Sequence, residues 1–192
     1  MYLTEEMLAA AARRWGEPKR IELAFEITPR EQSVIHSTSQ PERIHDITFF
    51  IEHRGRYAVI TKPFFPPGVW RAPSGGLHPG EDIEAGAKRE ALEETGLPIE
   101  LERYLVRVEA RFTLGELVEP WRTHVFLART DASELAPRDT REIRAAKWAT
   151  REELQGPIRD ALLATGYPLF RYRVALTDAT FARLDELSRA VR

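Results

Sequence analysis

Three glutamates, Glu90, Glu93 and Glu94, fall within five residues of the stretch REALEETGL, Arg89 to Leu97. On a helix, residues three and four apart are neighbours, so Glu90 meets both Glu93 and Glu94 on one face. Exposed like-charge pairs of this kind cost about a few tenths of a kcal/mol each. Partly buried ones cost more and drive one carboxyl towards protonation. A divalent cation reverses the sign. Carboxylate oxygens suit Mg²⁺, which keeps several waters and takes substrate phosphates as its remaining ligands. The plainer alternative is a solvated acidic face.

The residues around the acids add to the cation reading. Arg89 stands four before Glu93 and can pair with it. A loop with Pro73, Gly75, Gly76, Pro79 and Gly80 precedes the helix and ends at Glu81. Such a loop can bring backbone close to a ligand and aim Glu81 at the helix face. Gly86 lies one turn before Glu90 and is expected to leave open space there. Ile83, Ala87 and Ala91 form the opposite face and are expected to pack on a sheet.

The segment GGLHPGEDIEAGAKREALEETGL, Gly75 to Leu97, resembles the Nudix box. That pattern reads Gly, five residues, Glu, seven residues, Arg-Glu, an apolar residue, any residue, Glu-Glu, any residue, Gly, an apolar residue. Gly75, Glu81, Arg89, Glu90, Glu93, Glu94 and Gly96 all stand at the required spacing. Seven such positions, each at a frequency of about one in fifteen, coincide on the order of once in 10⁸ starts. Two departures exist: Ala91 is a small residue in the first apolar slot, and Ser74 stands where many members have a further glycine. Neither touches the acids.

The resemblance implies an α+β fold, an αβα sandwich with a mixed sheet. It implies a pyrophosphohydrolase that uses Mg²⁺ or Mn²⁺ to cleave a nucleoside diphosphate derivative, ADP-ribose-like, a nucleotide sugar or a nucleoside triphosphate, by water attack on phosphorus. Carried over by position, Glu90, Glu93 and Glu94 are metal ligands, Glu81 supports the site or binds an extra ion, and a carbonyl near Gly75 and Gly76 is a further ligand. Arg89 holds the glutamates in place. Many members carry an acid in a later loop as ligand or general base, and Glu142 occupies such a loop. Glu90 and Glu142 both stay open as the base. A Nudix-like sensor module without catalysis is the alternative from another class, although such modules often lose a box acid and none is lost here.

The elements that must position these groups are legible in outline. Thr4 to Trp15 reads as an amphipathic helix with Thr4 as N-cap, and Arg20 to Ile27 as a strand. The polar run from Thr28 to Arg43 reads as loop. HDITFFIEH and RYAVITK read as strands joined by a hairpin at Arg54-Gly55. Asp82 to Thr95 is the strongest helix, with Asp82 as N-cap and Gly96 just past its end. Two β-rich runs follow, Ile99 to Leu114 and Val118 to Arg129, then a short strand around Trp148. Thr150 and Glu153 stand at capping-box spacing and open a helix to about Thr165. A final helix runs from Thr177 to Arg192, with Phe181, Leu184, Leu187 and Val191 on one stripe. The expected organisation is an N-terminal extension over 1–44, a catalytic domain over 45–165 and a C-terminal helix over 166–192.

Composition bounds the rest. The chain has 192 residues, 43% hydrophobic, with a net charge of −2. Nucleic-acid proteins usually carry a basic stripe, so no nucleic-acid partner is expected and RNA decapping is disfavoured. There are no cysteines, which excludes disulfides and the cysteine an isopentenyl diphosphate isomerase would need, and fits a reducing, cytoplasmic location. No secretory signal and no membrane span are read. Phe64, Phe65 and Trp70, just before the box, are candidates to stack a nucleobase, with core or loop packing as the plainer alternative, and Arg71 is a candidate to bind phosphate. Lys62, Arg111 and Arg122 read as surface cations, and Tyr104, Trp121, His78 and His124 as ordinary packing or loop residues. Phe112 to Gly115 carry neither the proline nor the tyrosine of some substrate-specific subfamilies. A homodimer through the N-terminal segment, as in ADP-ribose-type members, rests on analogy.

Overall fold

The computed structural model describes residues 3–38 and 44–190. Among these residues, seven strands form one mixed sheet: β1 (Lys19–Glu26), β2 (His45–His53), β3 (Arg56–Thr61), β4 (Ser74–Gly75), β5 (Glu100–Leu114), β6 (Leu117–Arg129) and β7 (Ala145–Thr150). Their order is β1-β5-β6-β2-β3-β7, with β4 also on β2. β1 runs parallel to β5 and β2 parallel to β6, while the other pairs are antiparallel. Among the described residues, six helices accompany the sheet: α1 (Glu5–Trp15), α2 (Pro29–Thr38), α3 (Ile83–Thr95), α4 (Arg151–Gln155), α5 (Pro157–Ala164) and α6 (Pro168–Ala190).

Alternation along β2 sorts the two cores, since successive strand side chains point to opposite faces. Ile47, Phe49 and Ile51 pack with Leu8 and Ala11 of α1 and with Ile83, Ala87 and Ala91 of α3. Phe50 packs on the other face with Tyr172, Leu176 and Phe181 of α6 and Ile158 of α5. This is the α+β sandwich expected from the resemblance. No described helix is long and apolar enough to cross a membrane.

Most elements form where their capping and turn residues place them. Thr4 accepts from the Met7 amide and opens α1, and Asp82 accepts from Ala85 and opens α3. Gly96, at φ 78°, closes α3 in the left-handed region that favours glycine. Arg54 and Gly55, at φ 50° and 78°, make the β2–β3 turn, the primed type that suits a hairpin.

Three expectations are corrected. Pro29–Thr38 is a helix and not loop. Thr28 Oγ1 accepts from the Glu31 amide while Glu31 Oε2 accepts from Thr28 N and Oγ1. That is a capping box with proline at the first helical position, which outweighs the polar composition. Residues 39–43 of the expected loop lie outside the described residues. The helix expected from Thr150 to Thr165 is divided at Gly156-Pro157 into α4 and α5, because proline has no amide to continue the ladder. The last helix starts at Pro168, nine residues before the expected Thr177. The Thr177 and Thr180 hydroxyls bond back to the carbonyls of Arg173 and Leu176, so these threonines sit inside the helix and do not cap it. Val191 of the expected stripe lies outside the described residues.

A buried histidine, His124, and a half-buried one, His45, should make stability depend on pH. His45 and His124 stack at 5.5 Å, with His45 Nδ1 3.3 Å from His124 Nε2. The Tyr104 hydroxyl is 2.5 Å from His124 Nδ1. Burial first, then the charge of Arg122, lowers the His45 pKa to about 4. Burial also holds His124 well below the ordinary value, with His45 and Arg107 adding to it. The unfolded chain therefore binds more protons than the folded one below about pH 6.5, and stability falls as pH drops from there towards 4. The unfolding temperature should decline between pH 7 and 5, and His45→Gln should flatten that decline. An unchanged slope in the variant would assign the acid sensitivity to other groups.

Candidate functional site

The sheet is split beside β2, and the split makes the site. β3 pairs with β2 only near the hairpin, at Glu52 and His53. The other part of that β2 edge receives β4, with Ile47 opposite Gly75 and Thr48 opposite Ser74. The chain between β3 and β4 is stitched at both ends, by Ile60 and Arg71 bonding each other and by Phe49 N donating to Pro73 O at 3.0 Å. Ser74, Gly75 and Gly76 are thereby fixed against the carboxylate face of α3.

Arg89 organises that face. Its guanidinium donates to both carboxylate oxygens of Glu81, at 2.9 Å each. It also donates to Glu90 Oε1 at 2.9 Å, Glu93 Oε2 at 3.1 Å and Gly76 O at 2.8 Å. Arg89 keeps its proton even more firmly than usual, chiefly through the Glu81 hydrogen bonds. The same bonds hold the Glu81 carboxyl below the ordinary value. Gly86 does not leave open space: a Cβ there would collide with Leu77 Cδ2 and stand 3.0 Å from Glu81 Oε2. Its missing side chain makes room for the Gly76–Glu81 loop to lie on the helix.

Glu90 and Glu94 are the buried members of the triplet. Burial raises the pKa of each, against the pull of Arg89 on Glu90 and of Arg71 and Lys62 on Glu94. Glu94 Oε2 accepts from Ser74 N at 2.8 Å, and Glu90 Oε1 from Gly76 N at 3.2 Å. Glu94 Oε1 faces two cations, Arg71 at 3.7 Å and Lys62 at 3.8 Å. Ser74, the departure from the box pattern, accepts from Arg71 Nη1 at 2.9 Å. Arg71 is itself buried, which lowers its pKa to about 10 and leaves it charged at neutral pH. Glu93 is nearly half exposed, at 46% of its side chain.

Glu142 reaches the same place from another element. The amides of Arg138 and Asp139 both donate to the carbonyl of Glu93, and Ala136 N donates to Thr95 O. The loop between β6 and β7 is thus docked on the last turn of α3, and Asp139 Oδ1 accepts from Glu142 N. The Glu142 carboxylate accepts from Lys62 Nζ at 2.8 Å. One cavity of about 380 Å³ collects Glu90, Glu93, Glu94, Gly75, Arg89, Arg71 and Glu142. Glu81 stands behind it, through Arg89. Phe65 and Trp70 stand apart from it. Phe65 lines a neighbouring cavity with Arg71. Trp70 lines neither cavity and carries Lys147 over its ring at 5.0 Å.

Lys62, Trp121 and His78, read as ordinary, also line the first cavity, as do Asp46 and Arg173, which the sequence did not single out. Asp46 is buried on β2 and accepts from Trp121 Nε1 at 3.0 Å, from Thr123 Oγ1, and from Arg173 Nη1 at 3.3 Å. The signal was faint: one acid in an otherwise apolar strand, and an arginine in a helix whose first turns were not read as helical. Arg111 and Arg122 remain with carboxylates away from the cavity, Arg111 with Glu22 and Arg122 with Glu109.

The donor set at the cavity is carboxylate and backbone oxygen, which suits a hard divalent cation. Gly75 reinforces that fit, because a Cβ there would overlap the Glu90 carboxyl; backbone and carboxylate approach as closely as the chain allows. As they stand, among the described residues, no three His, Cys, Asp or Glu side chains gather tightly enough to chelate an ion. Each acid is instead turned to Arg89, Lys62, Arg71 or a backbone amide.

The profile of the NUDIX domain matches residues 41–170. The chain is 28% identical over 158 residues to Nudix hydrolase 2 of Arabidopsis thaliana, covering 79% of this chain and 52% of that protein. It is 34% identical over 102 residues to an RNA pyrophosphohydrolase of Erythrobacter litoralis, covering 45% of this chain and 62% of that one. The crystal structure of a UDP-X diphosphatase aligns over 66% of this chain and 61% of its own, at 16% identity and a TM-score of 0.46. The chain therefore spans about half the length of the plant relative and less than two thirds of the bacterial one.

Proposed function

Because the chain belongs to the NUDIX domain family, we propose that it hydrolyses the diphosphate linkage of a nucleoside diphosphate derivative with the help of Mg²⁺ or Mn²⁺. The observation that carries this reading is the convergence of Glu90, Glu93, Glu94 and Glu142 with Gly75, Lys62 and Arg71 on one cavity. Acids that hold a divalent cation and bases that hold phosphate oxygens are both needed there, and both are at hand.

In this reading Glu90, Glu93 and Glu94 hold the cation, with a carbonyl near Gly75, and Glu81 fixes Arg89. The bound ion supplies charge neutralisation at the phosphate oxygens and a template for in-line attack. The chain's own groups do the remaining work. Arg71 and Lys62 face the phosphates with charge that burial leaves poorly screened. Arg89 keeps the box acids from repelling each other apart. The attacking water forms a new P–O bond as the anhydride P–O bond breaks, and its proton passes to a carboxylate of the cavity. Glu90 on α3 and Glu142 on the docked loop are the two candidates to receive it. The bridging oxygen leaves with one product and the water's oxygen stays on the phosphorus of the other.

The test is a screen of purified protein against nucleotide sugars, dinucleotides, nucleoside triphosphates and 5′-capped RNA, with nucleotide or phosphate release as readout. We expect turnover of at least one class in Mg²⁺ or Mn²⁺ and its abolition by chelator. No turnover across the panel, in a chain that still binds nucleotide, would replace the hydrolase with a sensor module. Cleavage of RNA ends alone would redirect the substrate assignment and leave the chemistry in place.

A further inference from the structure

A second cavity, of about 370 Å³, opens beside the acidic one, and the two share Lys62, Arg71, Trp121 and Arg173. Arg173 comes from the early part of α6, far along the chain from the box acids. Its anchor is the buried Asp46 of β2. Asp46 Oδ1 accepts from Trp121 Nε1 at 3.0 Å and from Thr123 Oγ1, which in turn accepts from the Tyr172 hydroxyl at 2.5 Å. Asp46 Oδ2 accepts from Arg173 Nη1 at 3.3 Å and Nη2 at 3.4 Å, and Thr48 Oγ1 accepts from Nη1 at 3.3 Å.

These contacts are long for charge-assisted bonds, which settle at about 2.7–2.9 Å. Arginines that only staple this fold are held tightly: Arg151 meets Asp185 at 2.6 and 2.7 Å, and Arg107 meets both oxygens of Glu5 at 2.9 Å. Arg173 is therefore oriented by Asp46 without being taken up by it. The bonds engage the end of the guanidinium. Its side edge, the Nε N–H and the outer N–H of Nη2, has no hydrogen-bond partner among the described residues. With the side chain 23% exposed at the cavity wall, that edge can be reached. Two parallel N–H groups on one planar edge match two oxygens of a phosphate.

Arg71 stands close by with donors of its own. Its Nη1 donates to Ala72 O at 2.7 Å and Ser74 Oγ at 2.9 Å, while Nη2 lies 3.7 Å from Glu94 Oε1, beyond hydrogen-bond reach. Burial lowers the Arg71 pKa most, and the charge of Arg173 lowers it next, so the two guanidiniums feel each other. Like charges brought together where screening is weak are costly. Asp46 and Glu94 each answer one of them from the flank, and an anion between the two removes the remaining cost.

We infer that Arg173 is a phosphate ligand: with Arg71 it grips, without help from a metal, the end of the substrate's diphosphate that lies where the two cavities meet. The α3 acids serve the other end. This deepens the reading proposed above and rests on it, adding to Lys62 and Arg71 a cation from the C-terminal helix that the box does not contain.

Phosphorus NMR titration with methylenediphosphonate in EDTA tests this, because the analogue is not cleaved and no divalent metal is available to hold it. The wild-type chain should bind it, and Arg173→Gln should bind at least about ten-fold more weakly, the worth of a bidentate charged contact. Arg173→Lys keeps a charge facing Asp46 and lacks the planar edge. It should keep its unfolding temperature and still bind at least about three-fold more weakly, and it decides the matter should the glutamine variant fail to fold. Arg111→Gln removes the same net charge beside Glu22, away from both cavities, and should leave the affinity unchanged. No binding by the wild-type chain would overturn the inference, as would a smaller loss in a folded Arg173→Gln or a lysine variant that matches wild type. An equal loss in Arg111→Gln would overturn it in favour of net charge alone. The expected losses in a chain that hydrolyses nothing with Mg²⁺ or Mn²⁺ would uphold the anion site and sink the hydrolase reading. Unchanged affinity of Arg173→Gln in an active chain would do the reverse, so the two fail separately.

Discussion

Glu93→Gln and Glu94→Gln should each lower kcat by about 10³-fold or more in a protein that remains folded, because losing one ligand removes Lewis acid and template together. A neutral amide oxygen is a poor replacement for a carboxylate around a hard dication. The two positions test different things. Glu93 is nearly half exposed, and among the described residues its side chain pairs with Arg89 alone. Arg89 keeps Glu81, Glu90 and Gly76 without it, so the fold has little reason to notice Glu93→Gln. Glu94 is buried, and its carboxylate accepts from Ser74 while facing Arg71 and Lys62. Glutamine can keep the Ser74 bond with its carbonyl, but its amide group brings donors towards two cations. Glu94→Gln should therefore lose stability as well as turnover, by about 1–3 kcal/mol for a buried charge partner removed. Unfolding temperature and kcat in saturating Mn²⁺, measured on both variants, separate the effects. Full turnover by a folded Glu93→Gln protein would remove the cation from the account of this helix.

The α3 helix and its acids were legible because local rules specify them: an Asp82 cap, a Gly96 terminator and i, i+3, i+4 neighbours all lie within fifteen residues. Arg89 was legible for the same reason at Glu93, although its wider role was not. Its bonds to Glu81 and Gly76 depend on the path of the loop, which depends on Gly86 admitting Leu77. Nonlocal parts of the site were hidden. Asp46 and Arg173 are 127 residues apart and meet only because α6 lies across β2. Nothing in the spacing of either residue announces that contact. Trp121 read as packing since its indole is indeed buried, and only the partner of its N–H, Asp46, places it at the cavity. Trp70 failed in the opposite way. An aromatic next to a glycine-rich loop suggested stacking, yet the β3–β4 segment turns that ring to Lys147 and presents Phe64 and Phe65 to the neighbouring cavity. Composition misled once, at α2, where a polar run outweighed the Thr28, Pro29 and Glu31 that begin a helix.

Gly75→Ala should cost about 10²-fold in kcat, roughly 2.7 kcal/mol of barrier, although it adds one methyl group to a residue that is not a side-chain ligand. The methyl would fall inside the Glu90 carboxyl, closer than the 3.0 Å that real Cβ atoms keep. One of the two groups must yield. Gly75 is held in register with Ile47 on β2, and the adjoining Ser74 is fixed by Thr48 and by Glu94. Glu90 is the softer party, a side chain tied by Arg89 and the Gly76 amide. Moving its carboxylate by about 1 Å is enough to lose two orders of magnitude in rate, and the overpacking itself costs about 1–3 kcal/mol of stability. The cause can be isolated by a double-mutant cycle, since residues in contact show non-additive effects. In a Glu90→Ala background the methyl has room, and Gly75→Ala should change kcat by less than about three-fold and restore most of the lost stability. Equal losses in both backgrounds would mean that Gly75 matters through its backbone alone, as a carbonyl or as a hinge, and not by making space for Glu90.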